Sequence, residues 1–161
     1  MIATMHFTPL STPVGELRLF GDGESLTRLD LPGRHGPVGD AMQDEAALAE
    51  PVDQLQRYFA GELREFDLAL APAGGQFDMA VWEELSRIPY GQTTTYGAVA
   101  AAIGHTDSPR AVGAANGRNP IPIVLPCHRV IGASGKLVGY GGGLETKRRL
   151  LELERGDTPL F

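Results

Sequence analysis

Short hydrophobic runs with partial alternation of apolar and polar positions dominate the first thirty residues. They read MHFTPL, GELRLF and SLTRLDL, and PVG and GDGE between them are typical of tight turns. A polar segment follows, and AALAEPVDQLQRYFAGE then places Val52, Leu55, Tyr58 and Phe59 at helical spacing up to Gly61. The pattern predicts a small antiparallel sheet followed by one helix.

The second half of the chain has mostly helical spacing. FDMAVWEELSRIP keeps its apolar positions on one face and stops before Pro89, and LETKRRLLELE has a similar apolar face near the C-terminus. Between them, TTYGAVAAAIG and SPRAVGAANG predict two short helices, the second with Ser108 as its N-cap and Pro109 in its first turn. Such a pair is typical of a helix-turn-helix.

The stretch APAGGQ at 71–76 is the best candidate for a domain boundary, because alanine, proline and glycine separate two periodic segments there. We therefore predict an α+β protein. Residues 1–73 form a small antiparallel sheet plus a helix, and residues 74–161 form a mainly helical domain with a helix-turn-helix.

Composition adds limits to this picture. The chain has 161 residues, of which 42% are hydrophobic, and a single cysteine, so an internal disulfide and a zinc site built on several thiolates are excluded. The start MIATMHFTPLSTPVGE lacks the basic head and apolar run of a signal peptide, and no apolar stretch is long enough to span a bilayer. We expect a cytoplasmic protein that does not bind membranes.

Charge is spread unevenly. The net charge of −6 argues against nucleic acid as a partner, but residues 1–79 carry a balance of −8 and residues 80–161 a balance of +2. From Arg110 to Arg129 there are three arginines and no carboxylate. An anionic ligand would therefore meet the C-terminal half.

The one cysteine lies in VLPCHRVI, and two interpretations are open for it. A free cysteine often serves as a small buried hydrophobe. Alternatively Cys127 is a nucleophile, because histidine and arginine are neighbours that favour the thiolate. In an extended segment adjacent side chains point to opposite sides, so His128 could reach the thiol only through a water or a sharp turn, and an orienting carboxylate must come from elsewhere.

The last helix supplies a candidate carboxylate. Lys147, Leu150, Leu151 and Glu154 share one face, which places Glu154 beside leucines expected in the core. Either Glu154 finds a partner there, or it lies at the rim and pairs with Lys147. Periodicity alone does not separate the two.

The thin helix SPRAVGAANG is also open to two interpretations. Its small residues allow close packing inside the protein, which we favour without other evidence, or close approach to a DNA groove with Arg110 reaching in.

LPCHRVIG, preceded by RAVGAANGRNPIPIV and followed by GYGGGLETKRRLLELE, resembles the O6-alkylguanine-DNA alkyltransferase family. The match runs from about Phe77 to Glu154, and YFAGE fits more loosely. The resemblance implies direct-reversal DNA repair, in which the methyl group of O6-methylguanine moves irreversibly to Cys127 of the same protein, once per molecule. It leaves O4-methylthymine open as a second substrate.

The resemblance also implies roles for individual residues. Cys127 would be the acceptor, His128 would activate it through a water, and Glu154 would orient the histidine. Lys147 matches a family lysine whose role stays open. Contacts to DNA or the flipped base would come from Tyr96, Arg110, Asn119, Arg129, Val130, Tyr140 and Gly141. Asn119 would also hold the active-site turn by hydrogen bonds.

One feature of some family members has no counterpart in these residues. The structural zinc of human-type members cannot form with one thiol, so we expect no metal and no cofactor. We expect a monomer that binds double-stranded DNA.

Two rival functions remain open. One is a cysteine hydrolase, which would turn over, and the other is a lesion-binding module that carries out no chemistry.

Overall fold

The computed structural model describes residues 4–104 and 108–156. Its N-terminal sheet has four strands: β1 (His6–Thr12), β2 (Gly15–Gly21), β3 (Leu26–Asp30) and β4 (Met42–Gln43), in the order β3-β2-β1-β4. The first three pair antiparallel, as predicted, but β4 runs parallel to β1. The sheet is therefore mixed, because two residues of the segment expected to be a loop add to its edge.

Helix α1 (Ala49–Phe59) covers this sheet, preceded by a 3₁₀ turn over Ala46–Leu48. The four apolar positions expected on its inner face are all buried, and they pack with Leu17 and Leu19 of β2. The helix is followed by Gly61, whose φ of 77° is costly for other residues, so the predicted end is confirmed.

Four helices dominate the C-terminal half of the described chain: α2 (Gln76–Leu85), α3 (Tyr96–Ala102), α4 (Pro109–Gly117) and α5 (Leu144–Arg155). The α+β fold class is confirmed. A two-stranded parallel pair, β5 (Thr94–Thr95) with β6 (Val130–Ile131), was not expected, because two-residue strands leave no periodic signal. No helix within 4–104 or 108–156 combines the length and apolarity needed to cross a membrane.

The helix-turn-helix consists of α3 and α4, although residues 105–107, and hence the turn itself, lie outside the described residues. Thr95 caps α3 by accepting a hydrogen bond from the Ala98 amide at 3.1 Å. Trp82 of α2 is buried, and its indole donates to the Ala115 carbonyl at 2.9 Å. Close packing inside the protein therefore accounts for part of the thinness of α4.

The two halves join along the open edge of β3. The Leu29 amide donates to the Pro120 carbonyl at 2.8 Å, while elsewhere on the strand the Leu26 amide donates to the Ala69 carbonyl of the first half at 2.9 Å. The hydrogen bond to Pro120 fixes the N-terminal sheet against the segment that leads to Cys127.

Candidate active site

A cavity of about 540 Å³ opens between the two halves, and Cys127 forms part of its wall. Its volume lies in the range of about 300–1,000 Å³ usual for small-molecule sites. The first half contributes Arg28, Asp30, Leu31 and Arg34, and the second half contributes among others Tyr96, Gly113, Asn119, Cys127, Tyr140 and Gly141.

The segment before the cysteine is held by Asn119. Its amide donates to the Leu125 carbonyl at 2.7 Å, and its carbonyl oxygen accepts from the Ile121 amide at 2.9 Å. Between these anchors Ile123 has a φ of 75°, which is strained for a β-branched residue and persists only where its surroundings enforce it. Asn119 thus braces the turn that presents Cys127.

Cys127 begins a 3₁₀ turn that ends at Arg129, so the segment is turned here and not extended. The turn places the three consecutive side chains in different surroundings. Cys127 reaches the cavity wall, while His128 and Arg129 point into the protein and meet Glu154.

The thiol does not rest as a thiolate. Burial raises the pKa of Cys127 to about 11, although the nearby Asn119 amide, Lys147 ammonium and Tyr140 hydroxyl favour the charged form. The expectation that the neighbours in sequence favour the thiolate is wrong, because Arg129 is turned toward Glu154. A base must therefore remove the thiol proton when the group reacts.

Glu154 is the centre of a buried hydrogen-bond network. Its Oε2 accepts from His128 Nε2 at 2.6 Å and from the Tyr58 hydroxyl at 2.6 Å. Arg129 donates through Nε to Oε1 at 2.7 Å and through a terminal nitrogen to Oε2 at 3.1 Å, and the Gly91 amide lies 3.4 Å from Oε1. Although burial opposes the charge, these donors hold the pKa of Glu154 well below its usual range.

This arrangement fixes the tautomer of His128. Burial lowers the pKa of the imidazole, so the ring is neutral and Nε2 carries the hydrogen that Glu154 accepts. Nδ1 is then a buried acceptor with no hydrogen-bond partner among the described protein atoms. A neutral imidazole with an available lone pair, backed by a carboxylate, is the geometry of a general base.

Lys147 does not pair with Glu154, so that alternative is wrong. Its ammonium is fully buried and donates to the backbone carbonyls of Val130 at 2.6 Å, Val138 at 2.8 Å and Gly139 at 3.5 Å. Burial lowers its pKa. The lysine thus ties β6 to the loop that precedes α5, on which Tyr140 and Gly141 lie.

Of the residues expected to contact DNA or the base, several surround the cavity or lie near it. Tyr96 is half-buried beside Gly113, and its hydroxyl donates to the Val138 carbonyl at 3.2 Å. Arg110 is exposed near the start of α4. The hydroxyl of Tyr140 is buried near the thiol, with no hydrogen-bond partner of ordinary geometry in residues 4–104 and 108–156.

Two of those expectations do not fit the structure. Arg129 is 6% exposed and its guanidinium binds Glu154 and the Ile88 carbonyl, so it is not placed to contact DNA. Val130 is fully buried in β6, its carbonyl accepts from Lys147, and it is not among the residues that line the cavity. The closeness of Arg129 and Val130 to Cys127 in sequence does not indicate which way these residues face in the fold.

The sequence did not single out the N-terminal contributions. Tyr58 appeared there as one apolar position of a helix, and Arg28, Asp30 and Arg34 carried no motif. The looser match of YFAGE to the family was the one signal that could have pointed to Tyr58. No cluster of three or more metal-ligating side chains occurs in the described parts of the chain.

We expect the thiol of Cys127 to titrate late. The thiolate fraction should reach one half at the pKa of about 11, compared with 9.0 for an unperturbed cysteine, because burial penalises the charge. Thiolate absorbance in the ultraviolet across the alkaline range measures this, with Cys127→Ser as the baseline for tyrosine absorbance. A midpoint below 9.0 would contradict the effect of burial.

Comparisons with known proteins agree with the geometry. Residues 5–72 match the family model described as 6-O-methylguanine DNA methyltransferase, ribonuclease-like domain, and residues 76–156 match the DNA binding domain of the same family. The chain belongs to the 6-O-methylguanine DNA methyltransferase family. The resemblance inferred from LPCHRVIG is thereby confirmed.

Members of this family from distant organisms are similar over nearly the whole chain. A methylated-DNA--protein-cysteine methyltransferase of Mycobacterium tuberculosis is 50% identical, covering 96% of this chain and 95% of that protein. One from Methanosarcina acetivorans is 48% identical, covering 93% and 98%. The crystal structure of M. tuberculosis OGT in complex with DNA superimposes with a TM-score of 0.91 at 50% identity, covering 96% and 95%.

Proposed function

We propose that this protein repairs alkylated DNA by moving the methyl group of O6-methylguanine onto Cys127, irreversibly and once per molecule. Direct reversal of O6-alkylguanine damage is the function of its family. The observation that carries the assignment is the joint placement of Cys127 at the cavity wall and of His128 against Glu154 at 2.6 Å. An acceptor, a base and an orienting carboxylate are thus present together.

The proposed chemistry is a displacement at the methyl carbon. The thiol proton passes through a bridging water to Nδ1 of His128, and Glu154 stabilises the imidazolium that forms. The sulfur then forms a bond to carbon as the bond from carbon to O6 of guanine breaks. The departing guanine takes up one proton and His128 gives one up to return to its neutral form, so the proton lost by the thiol is balanced, and Cys127 becomes a thioether that water cannot cleave.

The target base must leave the duplex to reach this cavity. We propose that α4 approaches the DNA groove and that Arg110 fills the space left in the stack, because it is exposed at the start of a thin helix. Tyr96, Tyr140 and Gly141 line the base pocket, and Asn119 braces its wall. The net negative charge of the chain does not repel DNA at this surface, because residues 110–129 contain no carboxylate.

The boundary between residues 73 and 74, a monomeric state, a cytoplasmic location and the absence of a membrane partner are part of the same proposal. The two family matches, which end at residue 72 and begin at residue 76, support the boundary. The backbone hydrogen bond from Leu29 to Pro120 and the contact of Tyr58 with Glu154 support the view that the two domains act as one unit.

Stoichiometry tests the proposed function. Incubation of the protein with an excess of duplex DNA containing O6-methylguanine should release repaired guanine in a one-to-one ratio with protein, and then stop. Continued release beyond one equivalent would favour the hydrolase rival. Tight lesion binding without any repair would favour the non-catalytic one.

We expect Arg110→Ala to slow repair of duplex DNA by roughly thirtyfold, because holding a base out of the stack costs a few kcal/mol. Reaction with the free base O6-methylguanine should stay within about twofold, since no stack has to be filled there. Single-turnover rates on both substrates measure the difference. Arg57→Ala is the matched control, because Arg57 lies on α1 and pairs with Asp53. Equal losses on duplex and free base would refute the role in the stack.

A further inference from the structure

The proposed base and its carboxylate come from the C-terminal half, but the network that holds them includes a residue of the N-terminal half. Tyr58 of α1 is fully buried, and its hydroxyl lies 2.6 Å from Oε2 of Glu154. The same oxygen accepts from Nε2 of His128 at 2.6 Å. One carboxylate oxygen therefore joins a helix of the first domain to the imidazole beside the cysteine.

The other donors do not duplicate this contact. Arg129 approaches Oε1 at 2.7 Å but Oε2 at 3.1 Å, and the Gly91 amide touches Oε1 alone, at 3.4 Å. Oε2 thus receives its two shortest contacts from the phenol and the imidazole. Because Arg129 pulls mainly on Oε1, the hydroxyl of Tyr58 is the group that fixes Oε2 toward His128.

The chemistry of the phenol suits holding and not proton transfer. Burial, together with the charge of Glu154, raises the pKa of Tyr58 well above its ordinary value, so the hydroxyl remains a donor wherever the protein is folded. The charged and polar groups that act on this hydroxyl include Glu154, Arg129 and Tyr140, and Glu154 is the one that accepts its hydrogen bond.

Packing alone does not account for a tyrosine here. The ring lies among Phe59, Phe66 and Tyr90, with centroid distances of 5.2, 5.4 and 6.3 Å, and a phenylalanine would make the same contacts. A buried hydroxyl costs free energy unless it is hydrogen-bonded, and this one donates its hydrogen bond to Glu154.

We propose that Tyr58 is a positioning residue of the methyl transfer, whose hydroxyl holds Oε2 of Glu154 in line with Nε2 of His128. The inference rests on the proposed function, because it acts through Glu154 and His128. It makes the N-terminal domain part of the transfer apparatus and not only a support for the DNA-binding half. Loss of the hydroxyl leaves Oε2 free to turn toward Arg129, so the imidazolium loses part of its support.

A double-mutant cycle of Tyr58→Phe and Glu154→Gln tests the proposal. The rate is measured in single turnover at saturating O6-methylguanine DNA and expressed per folded protein, with the DNA dissociation constant measured in parallel. We expect Tyr58→Phe to lower the rate by about tenfold, as is usual when an outer partner of a functional histidine is lost, with DNA affinity unchanged. In the Glu154→Gln background the same change should have less than about a twofold effect, because the charged carboxylate that it positions is gone.

Phe59→Leu is the matched control, since Phe59 is buried on the same helix and makes no hydrogen bond to Glu154. It should lower the unfolding temperature and leave the rate per folded protein unchanged. A wild-type rate in Tyr58→Phe overturns the proposal, and so does an equal loss in both backgrounds, because a purely structural effect is additive. If Glu154→Gln transfers as fast as the wild type, the proposed function itself fails, which is a separate result.

Discussion

Cys127→Ser is expected to give a folded protein that binds DNA and transfers no measurable methyl group. Serine fits the space of the thiol, which is 4% exposed, so the 3₁₀ turn and the cavity wall should persist. A hydroxyl is a much poorer nucleophile toward an alkyl carbon than a sulfur, and its proton is harder to remove. We expect the transfer rate to fall by more than about a thousandfold, as losses of a nucleophile do elsewhere.

The measurement is the amount of repaired guanine after long incubation, with DNA affinity determined on the same preparation. Cys127→Ala serves as the second variant, because it removes the nucleophile without adding a hydroxyl. Both variants should bind lesion-containing duplex with affinity within about threefold of the wild type, since the DNA contacts proposed here come from other residues. Transfer by Cys127→Ser within tenfold of the wild-type rate would rule out Cys127 as the acceptor.

Glu154→Gln is expected to lower the transfer rate by at least about a hundredfold, in line with the loss of the orienting carboxylate in other base–acid pairs. The glutamine keeps the shape but loses the charge that stabilises the His128 imidazolium. In the wild type, Tyr58, His128 and Arg129 all donate to the carboxylate oxygens. The amide nitrogen of the glutamine would face one of these donors and could not accept its hydrogen bond. The buried Arg129 loses its counter-charge, so the free energy of unfolding should fall by about 3 kcal/mol.

Glu152→Gln is the control for this change. Glu152 lies on the same helix and pairs with the exposed Arg148, so its loss should change stability by less than about 1 kcal/mol and leave the rate unchanged. Single-turnover rates and chemical denaturation measure both effects. Unchanged transfer in Glu154→Gln would show that His128 works without the carboxylate.

The helices were predictable because each has one apolar face. Val52, Leu55 and Phe59 in α1 and Leu150 in α5 are buried as their spacing indicated. The short strands β4 and β5 were not predictable, since two residues carry no period and their pairing depends on a distant partner. For the same reason the parallel pairing of β4 with β1, which makes the sheet mixed, was not predictable.

The candidate site was predictable in part. The resemblance pointed to Glu154 and His128, and the structure places them 2.6 Å apart. The direction of Arg129 was not predictable, because it depends on where α5 packs. Tyr58 is 96 residues away from Glu154 along the chain, and nothing local to YFAGE indicates that contact. The raised pKa of Cys127 was likewise missed, because burial by distant segments outweighs the neighbours in sequence.

Intact-mass analysis of the protein after incubation with an excess of O6-methylguanine duplex tests the proposed transfer most directly. We expect every molecule to gain the mass of one methyl group and no more, and peptide mapping should place it on the fragment that contains Cys127. The Cys127→Ser protein, treated in the same way, should keep its mass. An unchanged mass in the wild type while guanine is repaired, or a methyl group on any other residue, would contradict direct transfer to this cysteine.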